Sequence, residues 1–270
     1  MIAAFNETTM VTNSPLRNIA SRLLCGASAA AVLGLHAGMV AAAPDYAREQ
    51  RWAAEIVPGV VIGEAVYVPT PSQSRVLALY TSVSNPKGGV IVVHGVGVHP
   101  DWGLIGGLRT GLADAGFATL SVQMPVLAAT AARDDYVALF PEASERIAAA
   151  ITFLKSRGIA RIAIVSHSMG ASMVNAYLAR PDAAQIGAWV PVGMLIEFAG
   201  APKEPVLDVV ADNDFPQVRE AVPKRSPQLP RDACTKQIVI AGTDHYMENR
   251  QKELVAAIVP FLERSLAGGC

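Results

Sequence analysis

Ile164-Val165-Ser166-His167-Ser168-Met169-Gly170-Ala171 carries a β-branched run straight into Ser-x-Ser-x-Gly, and residues that favour a helix follow at once. This is the sequence form of a nucleophile elbow, the sharp strand-to-helix turn that lifts a serine hydroxyl clear of a parallel sheet. Gly170 removes a Cβ where the incoming helix must pass close to the strand. Ser166 stands where the common pattern has glycine, and a small side chain meets the same steric demand. A serine-rich turn in any α/β protein reads alike over so short a stretch. The weight therefore rests on what surrounds it.

Working outward, Gly89-Val90-Ile91-Val92-Val93 is a continuous apolar run, as expected of a strand buried on both faces. Leu104, Leu108 and Leu112 recur at helical spacing, and Phe117–Val122 reads as the next strand. Pro141 and Glu142 open a helix with Ile147, Ile151 and Leu154 on one face. Strands at 188–195, 206–210 and 237–241 follow, then a last helix near 250–266. Before all of these, Glu64–Val68 and Arg75–Tyr80 flank a Pro/Ser/Gln turn and read as an antiparallel hairpin. The segment from Tyr46 to that hairpin shows only mixed polarity. Two lead-in strands followed by strand–helix alternation predict an α/β fold: a mostly parallel central sheet of about eight strands with helices on both faces. The link from Leu195 to Val206 is too short for a helix or a cap domain. The loop between Ser121 and Pro141 is long enough to overhang a site.

Functional groups of an open parallel sheet collect beyond the carboxyl ends of its strands. Four such ends carry reactive residue types: His94-Gly95-Val96-Gly97, the elbow at Ser168, Ala211-Asp212-Asn213-Asp214, and Gly242-Thr243-Asp244-His245. Ser, then Asp, then His is a triad order known for serine nucleophiles. A neutral hydroxyl needs a base within hydrogen-bond reach, and His245 is the candidate. Asp214 and Asp212 are both candidates for the acid that orients it, and either can instead be a solvated Asx turn. Asp208, mid-strand, would be a buried charge without a partner unless it faces an edge. Asp244 and His167 read as a surface residue and a structural residue. Asp101 reads as a helix cap near Trp102 or a substrate contact, and Met169, Met173 and Tyr177 as core. No pair among His94, His99, Asp101 and His245 has helical ligand spacing, so no metal is expected, and no phosphate or dinucleotide loop calls for a cofactor.

From about Tyr67 to Leu266 the chain resembles the α/β-hydrolase superfamily, because the His-Gly turn, the elbow, the acid turn and the Gly-x-Asp-His turn stand in its order. The wording His94-Gly95-Val96-Gly97-Val98-His99-Pro100-Asp101-Trp102 is similar to exported proteobacterial hydrolase-like proteins of undefined substrate. The resemblance implies an α/β-hydrolase fold without a large cap domain. It also implies a serine hydrolase that cleaves a carboxylic ester or related acyl bond, with an oxyanion hole from the N–H groups of Met169 and Val96, Gly97 being the fallback. Its Gly-x-x-Asp pattern, with Ala211 in the glycine's place, nominates Asp214 as the acid ahead of Asp212. The alternative is a catalytically silent binding or envelope-associated module on the same fold. The implied partner is a small acyl substrate; the oligomeric state is left open.

The 270-residue chain has a net charge of −1 and is 51% hydrophobic, enough for one large core. No basic run points to nucleic acid. Arg17 and Arg22 precede an Ala/Leu/Val-rich run closed by Val40-Ala41-Ala42-Ala43. This predicts a signal peptide over 1–42 and an exported, periplasmic or secreted domain over 43–270. A retained anchor is the rival, but a span needs about 20 strongly apolar residues and this run is mostly Ala and Gly. No stable membrane span is therefore expected after processing. Cys234 and Cys270 then remain. The last strand rises ~20 Å and the last helix returns ~24 Å, so the two cysteines should meet. An oxidising compartment permits a bridge, two unpaired thiols at a frayed terminus being the alternative.

Overall fold

The computed structural model describes residues 43–270; the expected signal peptide lies outside them. The apolar runs become one eight-stranded sheet in the order β1-β2-β4-β3-β5-β6-β7-β8. β1 (Glu64–Val68) and β2 (Val76–Thr81) form the expected hairpin, with Val68 opposite Val76. β2 also pairs antiparallel with β4 (Ala118–Val122). From β4 through β3 (Gly89–Val93), β5 (Ile162–His167), β6 (Ala188–Val192), β7 (Leu207–Asn213) and β8 (Lys236–Asp244), every neighbouring pair is parallel.

The side-chain alternation of β3 explains why both faces are covered. Ile91 and Val93 join the core under α3 (Phe140–Ser156) and α4 (Met169–Leu178). Val90 and Val92 join the core under α2 (Gly103–Asp114) and α6 (Gln251–Leu266). A strand with no polar face is the physical consequence of helices on both sides. β3 and β5 are neighbours, yet their following helices, α2 and α4, leave toward opposite faces. That divergence opens a crevice at the carboxyl ends of β3 and β5, where ligands of open α/β sheets bind.

Two helices were not legible beforehand. α1 (Tyr46–Ile56) starts at Asp45, whose carboxylate accepts the Arg48 N–H at 2.9 Å. α5 (Pro216–Arg225) follows the acid turn. Asp208 needs no edge: it is buried and accepts two hydrogen bonds from Arg225, at 2.9 and 3.0 Å, and a third from Gln237 at 2.8 Å. Asp101 caps no helix. The N-cap of α2 is Trp102, without a side-chain bond, and Asp101 instead pairs with Arg109 at 2.6 Å. Cys234 and Cys270 are bridged, with Cα atoms 5.4 Å apart, as the antiparallel return of α6 along β8 requires. No helix among the described residues is long and apolar enough to cross a membrane.

Candidate active site

Ser168 sits between β5 and α4 with φ 57° and ψ −125°, a strained backbone for a residue with a side chain. Such a conformation costs on the order of 1–3 kcal/mol and persists only where the surroundings enforce it. They do so here. The Ser168 N–H donates to the Val192 carbonyl at 2.9 Å, and the Ser168 carbonyl accepts from Ala171 N–H at 2.9 Å. Gly170 is what lets α4 close in: a Cβ there would lie 2.8 Å from the Val93 carbonyl oxygen.

The ends of β7 and β8 bring the other two residue types to this hydroxyl. His245 Nε2 is 2.8 Å from Ser168 Oγ, and His245 Nδ1 is 2.6 Å from Asp214 Oδ1. Asp214 is 3% exposed, and its carboxylate also accepts the N–H groups of Phe215 at 2.8 Å and Ala211 at 3.2 Å. An ionised carboxylate only accepts, so Nδ1 carries the imidazole proton and Nε2 faces the serine as an acceptor. The Phe215 ring stacks on His245 with centroids 4.1 Å apart. Asp212, the second candidate, does not approach the imidazole. It is exposed and accepts from Gly242 and Thr243 N–H at 2.8 and 3.1 Å, which ties the end of β7 to the turn in β8. Those donors hold its carboxyl below the usual range.

Gly193 was not singled out from sequence. It has φ +60°, and a Cβ there would lie 3.0 Å from His245 Cε1, 3.1 Å from Nδ1 and 3.4 Å from Asp214 Oδ2. The available signal was its place directly after β6. Phe215 likewise escaped notice, although it adjoins the acid.

The turn after β3 lies against the serine. A Cβ on Gly95 would be 2.9 Å from Ser168 Cβ and 3.4 Å from its Oγ. His94 is buried beneath, as a holder of the loop. Its Nε2 accepts the Met124 N–H at 2.8 Å and its Nδ1 donates to the Gly95 carbonyl at 2.9 Å. A trans peptide sets N–H and C=O in opposite directions, so this bond turns Val96 N–H away from the His94 ring. Met169 opens α4, so its N–H has no acceptor within the helix. Burial pushes the His94 imidazole down to about 3 and His167 down to about 4. His167 Nε2 donates to the His245 carbonyl at 2.8 Å, which makes it the structural residue expected. Met169, Met173 and Tyr177 are core.

Aromatic rings line the rim. Phe215 and Trp102 both meet Tyr246, at 6.1 and 6.2 Å. The 121–141 loop does reach the site, with the Arg133 guanidinium 5.7 Å over the Phe215 ring.

A family model described as "Protein of unknown function (DUF3530)" matches residues 64–145, a stretch that includes the His94–Trp102 turn. No curated relative matches the sequence. Among solved structures, the chain is similar to Est1E from Butyrivibrio proteoclasticus, at TM-score 0.58 and 18% identity over 75% of this chain and 99% of that one. It is also similar to an α/β serine hydrolase homologue from Coxiella burnetii, at TM-score 0.59 and 17% identity over 74% and 98%. A serine hydrolase without a lid from Xanthomonas campestris aligns at TM-score 0.62 and 14% identity over 76% and 95%. The chain has the α/β-hydrolase fold, and among the described residues there is no large cap domain.

Proposed function

We propose that this protein is a serine hydrolase that transfers an acyl group to Ser168 and then to water. The observation that carries the reading is the continuous hydrogen-bond chain Ser168–His245–Asp214, on three strand ends of a sheet with this fold. In the proposed cycle, Ser168 Oγ attacks the carbonyl carbon of an ester or related acyl substrate as His245 Nε2 takes its proton. Asp214 holds the imidazole in the productive tautomer and stabilises the imidazolium without itself being protonated. The oxyanion is received by Met169 N–H and Val96 N–H, each worth about 3 kcal/mol in the transition state. Collapse breaks the bond to the leaving group, which departs with the proton from His245. A water then gives a proton to His245 as its oxygen attacks the acyl-Ser168 carbonyl, and collapse breaks the bond to Ser168 Oγ, which takes that proton back from His245 as the acid leaves.

The open, aromatic rim of Phe215, Tyr246 and Trp102 suits a small apolar portion of the substrate. We also read residues 1–42 as an export signal. The Cys234–Cys270 bridge supports that reading, since such bonds persist in oxidising compartments. The test is labelling of the folded protein by a fluorophosphonate probe. Stoichiometric modification that disappears in Ser168→Ala is expected; equal labelling of the two proteins, or none of either, would overturn the assignment.

A further inference from the structure

Four arginines with buried or half-buried guanidinium groups brace the carboxyl end of the sheet, and three of them meet carboxylates. Arg109 pairs with Asp101, Arg146 with Glu49 and Glu142, and Arg225 with Asp208. Arg48 is the exception. It is half-buried on α1, its Nη1 donates to the Leu127 carbonyl at 2.8 Å, and its Cζ lies 4.5 Å from the centroid of the Trp52 ring. Among the described residues no carboxylate pairs with it. Asp45 is committed to the α1 N–H of Arg48, and Asp101 to Arg109. Its Nη2 has no hydrogen-bond partner among the described residues. That nitrogen is 3.8 Å from where a Cβ on Gly97 would stand, and nothing else lies within 4 Å of that point.

The location gives this guanidinium its meaning. The Gly95–Gly97 turn touches Ser168 at one end and Arg48 at the other. Gly97 is two residues on from Gly95, which places the free Nη2 within about 14 Å of the serine. A guanidinium offers planar, paired donors that match an oxyanion, and Trp52 and the Leu127 carbonyl already fix its plane. Resting on the Ser168 reading, we propose that Arg48 determines specificity by binding a carboxylate that the substrate carries several atoms from the scissile carbonyl. The substrate class is then an ester with a terminal carboxylate, on the acyl or on the alcohol side. Arg48 does not touch the reacting atoms; it holds the far end of the molecule and so aligns the carbonyl over Ser168.

The experiment uses the Ser168→Ala protein, so that binding is read without turnover. Calorimetry compares an adipate hemiester of 4-nitrophenol with its methyl-capped diester. A second pair compares the hexanoyl ester of 4-hydroxybutyrate with its methyl ester. The anionic member of at least one pair should bind about tenfold tighter or better, as a charge-assisted bond allows. Arg48→Gln, which keeps a donor for Leu127, should erase that preference, whereas Arg48→Lys should retain part of it. Raising the salt should shrink it. The pair that responds says which side of the ester carries the anion. Equal binding within both pairs, or a preference that survives Arg48→Gln, overturns the proposal. If Ser168 labels and neutral esters are cleaved while both pairs bind equally, this inference fails and the hydrolase reading stands. If nothing labels while Arg48 still selects anions, the reverse holds.

Discussion

Replacing Gly193 with alanine probes the preorganisation of the site without deleting any reacting group. The perturbation has two parts that the structure sizes separately. At φ +60° an alanine costs about 1–2 kcal/mol relative to glycine. The new methyl also meets His245 Cε1 and Nδ1 at 3.0 and 3.1 Å, where carbon contacts prefer about 3.5–4.0 Å. The imidazole must therefore retreat by about half an ångström. Phe215 stacks on it at 4.1 Å and Asp214 holds Nδ1 at 2.6 Å, so the ring cannot slide freely. A retreat of that size carries the 2.8 Å Ser168–His245 bond beyond good geometry. Misplacement on the ångström scale costs on the order of 100-fold in rate. Added strain of about 2 kcal/mol lowers the melting temperature by about 4–8 °C for a domain of this size. The assay is kcat and KM on 4-nitrophenyl acetate well below the melting temperature, beside thermal unfolding. Loss in kcat from a protein that remains folded is expected. A folded Gly193→Ala protein with kcat within twofold of the parent would refute the reasoning, because the contact distances leave the ring no neutral place to go.

The two acids separate cleanly: Asp214→Asn should lower kcat by roughly 10⁴-fold by disturbing the imidazole tautomer. Asp212→Asn should leave kcat within about threefold and only slightly lower the unfolding midpoint, by weakening its bonds to the Gly242 and Thr243 N–H groups; a large kcat loss there would reverse the assignment. Reducing the Cys234–Cys270 bridge opens a loop of 36-residue separation and should lower stability by about 3–4 kcal/mol in urea unfolding, and an unchanged midpoint would count against it. His94 and His167 stay neutral in the folded state down to about 3 and about 4, whereas the unfolded chain takes up both protons near 6.5. Their contribution is therefore fully present above that pH and is lost as pH falls toward those folded values. Between pH 7.0 and 5.5 the two histidines should remove about 2–3 kcal/mol, and His167→Asn should roughly halve that loss. A pH dependence untouched by His167→Asn would show that its burial does not govern the titration.

The sheet was legible because its strands are apolar on both faces and its turns carry reactive residues at the strand ends. The elbow, the acid turn and the His245 turn each announce themselves locally. What stayed hidden depends on contacts distant in sequence. α1 fully buries none of its apolar side chains, only Glu49, which finds a partner in Arg146, nearly a hundred residues away. Hydrophobic periodicity cannot see a helix held by ion pairs. Asp208 and Arg225 are likewise unremarkable until β7 and α5 pack. That Asp214 and not Asp212 meets the imidazole follows a stretch of β7 with irregular register between Ala211 and Asn213, which no residue-level rule encodes. Gly193 sits behind a ring supplied by another strand, so only the assembled site explains it.

The buried arginines account for how the loops around an open site stay in place. Arg109 fixes Asp101, beyond β3; Arg146 accepts the load of Gln123, beyond β4, by donating to its carbonyl at 2.9 Å; Arg225 donates to the Met194 and Ile196 carbonyls, beyond β6, at 2.8 and 3.2 Å. Each ties a loop that bears no triad residue to the body of the domain. Breaking such a buried pair from one side leaves an uncompensated charge, at about 3–5 kcal/mol. The loops around Ser168 are therefore stiff for electrostatic reasons, and donors that do not reorganise are what transition-state stabilisation needs. Arg48 follows the same architecture, from α1 to the Leu127 carbonyl, but lacks the acid that the other three possess. A brace needs its counter-charge within the protein. A guanidinium left without one, fixed in plane and facing the turn beside the serine, is instead set to receive that charge from the substrate.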